Sequence, residues 1–286
     1  MTFATAVVNK RWRTLRFKVC QGITGARDKT VPANIGLHAI FACNSAALSP
    51  SPIGMGGKGP RRAVQVSGRE AMKLEKTVYF VRHGQSLANV SAVFQGPDSP
   101  LSETGHSQAR RIAERVSKLS CEALISSPFR RAGETAAAIA RETGLVPEYS
   151  KLFVERLKPS SINGRPFNDE DARAIWMEWE RSLYTLAKRV EDGENFADLI
   201  ARADNALTFL RDRKEASLAV VTHGFFLRTV VARAVLGGVL SAEVFKRFQR
   251  VASMENTGLT VLRYHQAFDE EPDWRLWIYN DHAHLG

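Results

Sequence analysis

The sequence predicts an α/β fold, a three-layer α/β/α sandwich with a mostly parallel sheet and an antiparallel edge. Short runs of β-branched and aromatic residues alternate with longer segments in which apolar residues recur every three or four positions. Two strand-like runs, residues 257–264 and 274–279, close the chain without a helix between them, which favours an antiparallel hairpin. The roughly 215 residues from Met72 onward are enough to bury such a core.

The first strand is predicted over residues 77–81, where five β-branched or aromatic residues follow one another. The apolar run at 217–222 predicts a second buried strand. Ser127, followed by Pro128, fits the N-cap and first turn of a helix. The other elements are expected, in chain order, at about 103–118 (helix), 122–126 (strand), 128–142 (helix), 146–153 (short strand), 169–190 (helix), 195–212 (helix) and 224–236 (helix).

Polar side chains follow both of the buried strands. Arg82 and His83 come after the first strand, and His223 comes after the strand at 217–222. The carboxyl edge of parallel strands is where open α/β sheets bind ligands. An arginine fork matches phosphate oxygens, and an imidazole that is neutral near pH 7 is a nucleophile toward phosphorus. A histidine that only packs in the core is the alternative, and finding one at each strand end favours a phosphate site.

Four motifs carry a resemblance to a known family. Residues 82–89, Arg-His-Gly-Gln-Ser-Leu-Ala-Asn, match the pattern Arg-His-Gly-(Glu/Gln)-(Ser/Thr)-x-x-Asn, and residues 94–109 look like the loop and helix entry that follow it. Residues 126–136 contain Ser-x-x-x-Arg-Ala-x-x-Thr-Ala, and residues 220–224 end in the second histidine. In this order the motifs resemble the histidine phosphatase superfamily, also called phosphoglycerate mutase-like, and the resemblance runs from Lys73 to the C-terminus.

The resemblance implies phosphoryl transfer through a phosphohistidine on His83, with His223 as a second catalytic histidine and with neither a metal nor another cofactor. Glu155 matches the proton donor, although an ordinary surface pair with Arg156 is the alternative, and Glu103 or Glu194 are the substitutes. A carboxyl beside apolar residues suits a general acid. The register of the third motif selects Arg131 over Arg130. The residues expected to bind phosphate are Arg82, Asn89, Gln95, Gly96 and Arg131.

The segment after Glu155 departs from the mutase branch. Cofactor-dependent phosphoglycerate mutases carry Glu-Arg-x-Tyr-Gly-x-Leu-x-Gly, whereas this chain continues Glu-Arg-Leu-Lys-Pro-Ser-Ser over residues 155–161. The departure favours a phosphomonoester hydrolase acting on a small phosphorylated substrate. A cofactor-dependent phosphoglycerate mutase and a non-catalytic module that binds a phosphorylated ligand remain the alternatives.

The amphipathic segment at 169–190 lies between Glu155 and His223 in the chain. Its apolar residues include Trp176 and Trp179, for which a place in the core is the simpler interpretation. In the resembling folds an insertion at this point covers the pocket. Substrate selection is therefore expected from this helix together with Arg156, Lys158 and Arg165.

Residues 1–71 differ in composition from the rest of the chain. They hold eleven Lys and Arg against Asp28 and Glu70, a net charge of +9, whereas the remaining residues carry +1 of the total of +10. We predict a basic, disordered extension over 1–71 and a catalytic domain over 72–286. A transit peptide, an arm that contacts nucleic acid or a membrane, and an over-extended start before Met72 are the three interpretations. The near-neutral catalytic region argues against a nucleic-acid partner.

The cysteines and the hydropathy of the chain indicate its compartment and whether it spans a membrane. Three cysteines, two of them within residues 1–71, imply no disulfide framework, so a reducing compartment is expected: the cytoplasm, or an organelle if the extension is a transit peptide. The apolar stretch 36–48 is too short to span a bilayer, which takes about 20 residues. Nothing in the sequence has the spacing of a zinc site. A homodimer is left open.

Overall fold

The computed structural model describes residues 75–185, 188–265 and 273–286. The predictions for residues 1–71 lie outside the described residues, as does Leu186 of the amphipathic segment. None of the described helices has the length and apolar character that crossing a membrane requires.

One six-stranded sheet forms the centre of the described region, in the spatial order β3-β2-β4-β1-β5-β6. The first four strands in that order are parallel, and β5 and β6 are antiparallel to their neighbours. The predicted mostly parallel sheet with an antiparallel edge is therefore confirmed. The strands are β1 (Lys76–Arg82), β2 (Ala123–Ser126), β3 (Pro147–Tyr149), β4 (Ser217–Thr222), β5 (Leu259–His265) and β6 (Asp273–Asp281).

Helices cover both faces of the sheet, and each face has its own apolar core. On one face, β-strand residues such as Phe80 pack with Leu210 and Phe226. On the other, Val81 packs with Ile112 and Ile139. The three predicted layers are thus present. The helices are α1 (Leu87–Val90), α2 (Glu103–Val116), α3 (Arg130–Thr143), α4 (Glu170–Ser182), α5 (Phe196–Arg211), α6 (Gly224–Leu236) and α7 (Ala242–Val251), with short 3₁₀ turns at Lys151–Phe153, Ser160–Ile162, Gly237–Val239 and Ala283–Leu285.

The structure corrects the sequence-based elements in several places. The helix expected over 169–190 ends at Ser182, and the four-residue helix α1 was not predicted. Helix α3 begins at Arg130, so Ser127 is not its N-cap; the Ser127 hydroxyl instead accepts a hydrogen bond from the Phe129 amide at 3.2 Å. The strand expected near 146–153 is three residues long and passes into a 3₁₀ turn. Helix α7 was not predicted, although Ser241 caps it and its apolar Phe245 is buried against the core.

Strands β1 and β4 position the site because they are parallel neighbours in matched register. Arg82 lies opposite Thr222, so the residues that follow, His83 and His223, leave the sheet side by side. The His83 amide donates to the Thr222 carbonyl at 2.9 Å, which ties the two strand ends together. Two segments more than a hundred residues apart in the chain thereby deliver their histidines to one point.

Candidate active site

Two buried histidine rings form the floor of the candidate site. The ring centroids of His83 and His223 lie 5.0 Å apart, and both residues are essentially without solvent exposure. Burial lowers the pKa of each ring well below 6.5, and the charge of Arg131 lowers both pKa values further. Both imidazoles are therefore neutral at physiological pH, the form that a nucleophile requires.

The hydrogen bonds of His83 define which of its nitrogens can react. Nδ1 lies 2.7 Å from the Gly84 carbonyl oxygen, which can only accept, so Nδ1 carries the proton. Nε2 then holds the lone pair and accepts a hydrogen bond from Arg131 Nε at 3.1 Å. This arrangement orients Nε2 toward the Arg131 guanidinium. A phosphorus atom approaching Nε2 would meet Arg131 at the same place.

Arg131 and Arg82 bring two cations to this point. Arg131 is 2 % exposed, and its Nη1 donates to the Gly96 carbonyl at 3.1 Å; burial lowers its pKa to about 10, so it remains charged. Arg82 donates to the Met254 carbonyl, while its Nε is buried and has no partner among the described residues. A Cβ at Gly224 would lie 3.0 Å from that Nε, so glycine makes room for the guanidinium. These unsatisfied and charged donors suit an anion.

His223 is held from the opposite side of the site. Its Nε2 lies 2.8 Å from the Ser127 hydroxyl, and its Nδ1 is buried without a partner in the described part of the chain. The Phe129 ring packs edge-on against the imidazole at 5.2 Å between centroids. Ser127 therefore has a role as a partner of His223, which its motif position did not reveal.

Glu155 lies where helix α6 begins. Its carboxylate accepts hydrogen bonds from the backbone amides of Phe226 at 2.9 Å and Phe225 at 3.3 Å, and from that of Arg156 at 3.0 Å. Unpaired amides at a helix N-terminus attract a negative group, which explains why the carboxylate lies here. The surface pair with Arg156 that the sequence left open is not formed, since Arg156 pairs with Glu180 instead.

Three further predicted phosphate ligands lie around the rim and are partly engaged with one another. Asn89 is exposed, and its Oδ1 accepts from the Ser86 amide and hydroxyl at 3.0 and 2.9 Å. The Gln95 side-chain amide donates to the same hydroxyl. Gly96 contributes its carbonyl to Arg131. Asn89 and Gln95 line the cavity, whereas Gly96 acts on the position of Arg131.

The alternatives to Glu155 and the residues expected to select substrate are mostly tied to the protein. Glu194 is buried in a two-pronged pair with Arg202, at 2.7 Å on both sides, and Glu103 occupies the first turn of α2. Arg156 is buried, stacks on Trp179 at 3.6 Å from the ring centroid and pairs with Glu180 at 2.9 Å. These contacts tie Arg156 to α4, although Arg156 also lines the cavity.

Of the remaining two cations expected to select substrate, Lys158 faces the site and Arg165 is paired. Arg165 forms a two-pronged pair with Asp169 at the start of α4. Lys158 lines the cavity and donates to the Gln95 carbonyl and the Asn163 side chain. Burial, followed by the charge of Arg131, lowers the pKa of Lys158 to about 8.

Sequence reasoning missed several residues that hold His83 in place. The Thr135 hydroxyl accepts from the Gly84 amide at 3.1 Å, and the Asn256 side chain donates to the His83 carbonyl at 2.9 Å. Thr257 donates its amide to the Arg82 carbonyl at 2.9 Å. Thr135 belongs to the Thr-Ala of the third motif and was available as a signal. Asn256 and Thr257 lie in a loop without a recognisable pattern.

A cavity of about 600 Å³ opens over this cluster. Arg131 and Glu155 form one end of its lining, and the two histidines lie buried behind Arg131 and Phe129. Within the described ranges, no group of three or more His, Cys, Asp or Glu side chains has a geometry that would hold a metal ion. The chemistry that the arrangement can perform is attack of an imidazole nitrogen on an anion held by arginine and histidine donors.

Comparison with known proteins agrees with this geometry. Residues 78–277 match the model of the histidine phosphatase superfamily, branch 1. The chain belongs to this superfamily. A probable phosphoglycerate mutase of Escherichia coli, GpmB, is 30 % identical over 213 residues, which cover 73 % of this chain and 94 % of the relative.

Solved structures of the superfamily share the fold. A mycobacterial protein described as hydrolase 1 is 27 % identical, with a TM-score of 0.59, over 73 % of this chain and all of that one. The native mycobacterial glucosyl-3-phosphoglycerate phosphatase is 28 % identical, with a TM-score of 0.57, over 72 % of this chain and 99 % of that one. Members of the histidine phosphatase superfamily are phosphatases or mutases that work through a phosphohistidine, so this protein is an enzyme of that general class.

Proposed function

We propose that this protein is a metal-independent phosphomonoesterase that forms a phosphohistidine on His83. The observation that carries the proposal is the state of His83, whose Nδ1 is anchored on a carbonyl while Nε2 keeps its lone pair beside Arg131. Arg82, Arg131 and His223 surround that nitrogen with donors for the phosphoryl oxygens. Charge that develops on those oxygens in the transition state is stabilised by donors already in place.

The reaction takes two displacements. In the first, His83 Nε2 bonds to phosphorus, the bond from phosphorus to the ester oxygen breaks, and Glu155, in its protonated form, gives its proton to the departing alkoxide and becomes a carboxylate. In the second, water attacks phosphorus, Glu155 takes its proton, and inorganic phosphate leaves as the bond to Nε2 breaks. Arg131 exchanges its hydrogen bond with Nε2 for one with a phosphoryl oxygen as substrate enters.

The place of Glu155 supports its part in this scheme. It lines the same cavity as Arg131, and three backbone amides fix its carboxylate. A carboxylate fixed in this way has a defined direction for proton transfer. Neither Glu103 nor Glu194 is so placed, because Glu103 lies in the first turn of α2 and Glu194 is paired with Arg202.

Two observations support hydrolysis over mutase activity. Residues 157–159, Leu-Lys-Pro, replace the x-Tyr-Gly of the mutases after Glu155-Arg156. A hydrolase and a phosphatase are among the solved structures above 25 % identity. The identity with a probable phosphoglycerate mutase makes mutase activity the second candidate.

The test is phosphate release by the full chain from phosphoglycerates, sugar phosphates, nucleotides and p-nitrophenyl phosphate, with a chelator present. We expect turnover that survives the chelator and is lost in His83→Ala. Transfer of phosphate from 3- to 2-phosphoglycerate that needs a bisphosphate primer, without net phosphate release, would establish the mutase instead. Binding of a phosphorylated ligand without either reaction would indicate a non-catalytic binding module.

Arg130 and Arg131 provide a matched pair for the phosphate site. Arg131 is buried against His83, whereas the side chain of Arg130 is 58 % exposed and pairs with Glu134. Removing one transition-state donor lowers kcat by about 100- to 1000-fold, so we expect that loss in Arg131→Ala. Arg130→Ala should stay within about twofold, because a surface ion pair contributes little. Equal losses in the two variants would refute the assignment.

A further inference from the structure

The cavity is larger than a phosphate group and a short carbon chain require. Pockets of about 300–1,000 Å³ typically enclose drug-sized ligands, and this one measures about 600 Å³. The phosphate site at Arg131 and Glu155 accounts for only part of the lining. Much of the remaining lining comes from residues 88–97, from the segment that leads into α4 and from α4 itself.

Three aromatic residues of the cavity lining, Phe94, Phe167 and Trp176, form what we call the aromatic shelf. Phe94 is buried, and its ring meets that of Phe167 edge-on at 4.9 Å and that of Trp176 at 6.1 Å. Phe167 is 48 % exposed and Trp176 is 37 % exposed, and both line the cavity. Large apolar rings left open together inside a cavity mark a binding surface.

Backbone hydrogen bonds and apolar packing hold the residues of the aromatic shelf in place. The Phe94 amide donates to the Arg165 carbonyl at 2.9 Å, the Gly164 amide donates to the Phe94 carbonyl at 2.8 Å, and the Phe167 amide donates to the Ala92 carbonyl at 2.9 Å. Behind the rings, Phe94 packs in a separate small core with Ile162 and Ala172. Because these bonds fix the backbone that carries Phe94 and Phe167, a ligand that stacks there loses less entropy in ordering the protein.

The surroundings of the shelf are polar. The side chains of Lys158, Asn163 and Asp192 line the same cavity. They offer both donors and acceptors to whatever group lies there. A ligand that fits both features has a flat face for the rings and polar atoms at its edge.

We propose that the substrate is a phosphomonoester whose organic part carries a polar ring with one face that stacks on the aromatic shelf. This inference rests on the proposed function only in taking the ligand to be a phosphomonoester. A nucleobase and the apolar face of a sugar ring both present this chemistry. Trp176 and Phe167 are then specificity-determining residues.

The experiment measures binding to full-length protein carrying His83→Ala, so that bound esters are not consumed. Isothermal titration compares glycerol 3-phosphate, which has no ring, with glucose 6-phosphate and a nucleoside 5′-monophosphate. Stacking on an aromatic side chain strengthens binding by about 5- to 150-fold. We expect at least one ring-bearing ester to bind tenfold more tightly than glycerol 3-phosphate, and the preferred ester distinguishes a base from a sugar.

Adding Trp176→Ala or Phe167→Ala should remove most of that preference and leave the affinity for glycerol 3-phosphate within about twofold. Trp277→Ala is the matched control, because Trp277 is 61 % exposed on β6 and does not line this cavity. Equal affinity for all three esters, or an equal loss for all of them in Trp176→Ala, would overturn the proposal.

The outcome is separable from that of the proposed function. Hydrolysis is judged from phosphate release by the unmodified protein, and the shelf is judged from the ratio of affinities. If ring-bearing esters bind more tightly through the aromatic shelf but no phosphate is released, this proposal stands and hydrolysis is refuted. If phosphate is released in a His83-dependent reaction but the esters bind equally well, hydrolysis stands and this proposal is refuted.

Discussion

At the scale of single residues, folding determines the charge of the two histidines. Taking an imidazole out of water disfavours its protonated form, and two nearby arginines disfavour it further, so the pKa values of His83 and His223 fall well below 6.5. The sequence placed both residues at strand ends. Their neutral state depends on burial, which the sequence did not show.

We expect the rings of His83 and His223 to stay neutral as the pH falls from 8 to 6. NMR of histidine-labelled protein checks this, with the two signals assigned from their loss in His83→Ala and His223→Ala. Adding phosphate should raise both pKa values, since a nearby anion favours the protonated form. A midpoint near 6.5 in the unliganded protein would contradict the prediction.

We expect the KM for a phosphate ester to depend on pH through the charge of Lys158. Its pKa of about 8 means that it is a cation below pH 8 and neutral above it. A phosphate ester binds more weakly once that charge is lost, so KM should rise about fivefold between pH 7 and 9, roughly 1 kcal/mol. Steady-state kinetics between pH 7 and 9 measures this rise in KM.

The variant Lys158→Arg keeps its charge at pH 9 and should abolish the rise in KM. The exposed control Lys151→Met should retain it. The same rise in Lys158→Arg would exclude Lys158 as its cause.

At the scale of elements, the loop after β1 and the start of α2 depend on close backbone contact. A Cβ at Gly84 would lie 2.6 Å from the Gly105 carbonyl oxygen, a distance that requires the backbone to move. This contact holds the loop that follows His83 against α2. The sequence marked Gly84 as part of the motif but did not show which atom it approaches.

We expect Gly84→Ala to lower the melting temperature and reduce kcat/KM, because overpacking costs about 1–3 kcal/mol and displaces the loop that holds His83. Gly133→Ala is the control. A Cβ there would be 3.6 Å from the nearest atom, and alanine stabilises a helix by about 0.5–1 kcal/mol relative to glycine. Thermal unfolding and kinetics measure both; wild-type behaviour of Gly84→Ala would refute the packing argument.

The periodicity of apolar residues predicted helix α4 but not which of its side chains are exposed. The repeat predicted the helix, and it marked Trp176 and Trp179 alike as core residues. Trp179 is buried under Arg156, but Trp176 is 37 % exposed in the cavity. Both rings line the cavity, one turn of helix apart, but only that of Trp176 is substantially exposed there. Which side faces the cavity depends on how the helix docks, and the sequence does not contain that information by itself.

At the scale of the whole molecule, the charge and the site lie in different parts of the chain. Residues 1–71 carry +9 of the net +10, whereas the predicted site residues lie between 82 and 223. We therefore propose residues 72–286 as the catalytic domain. A purified 72–286 protein should have kcat/KM within about twofold of the full chain and should bind far less to a cation exchanger. Loss of folding or activity on removal of 1–71 would refute this boundary.

The sequence by itself determined the alternation of strands and helices and the family, and its motif register predicts Arg131 rather than Arg130 as the phosphate ligand, because these depend on local pattern. Tertiary structure decided the rest. The pairing of β1 with β4 brings His83 to His223, the N-terminus of α6 holds Glu155, and the docking of α4 opens an aromatic surface. These features depend on contacts between segments far apart in the chain, and burial there determines which side chains stay neutral and which remain open to a ligand.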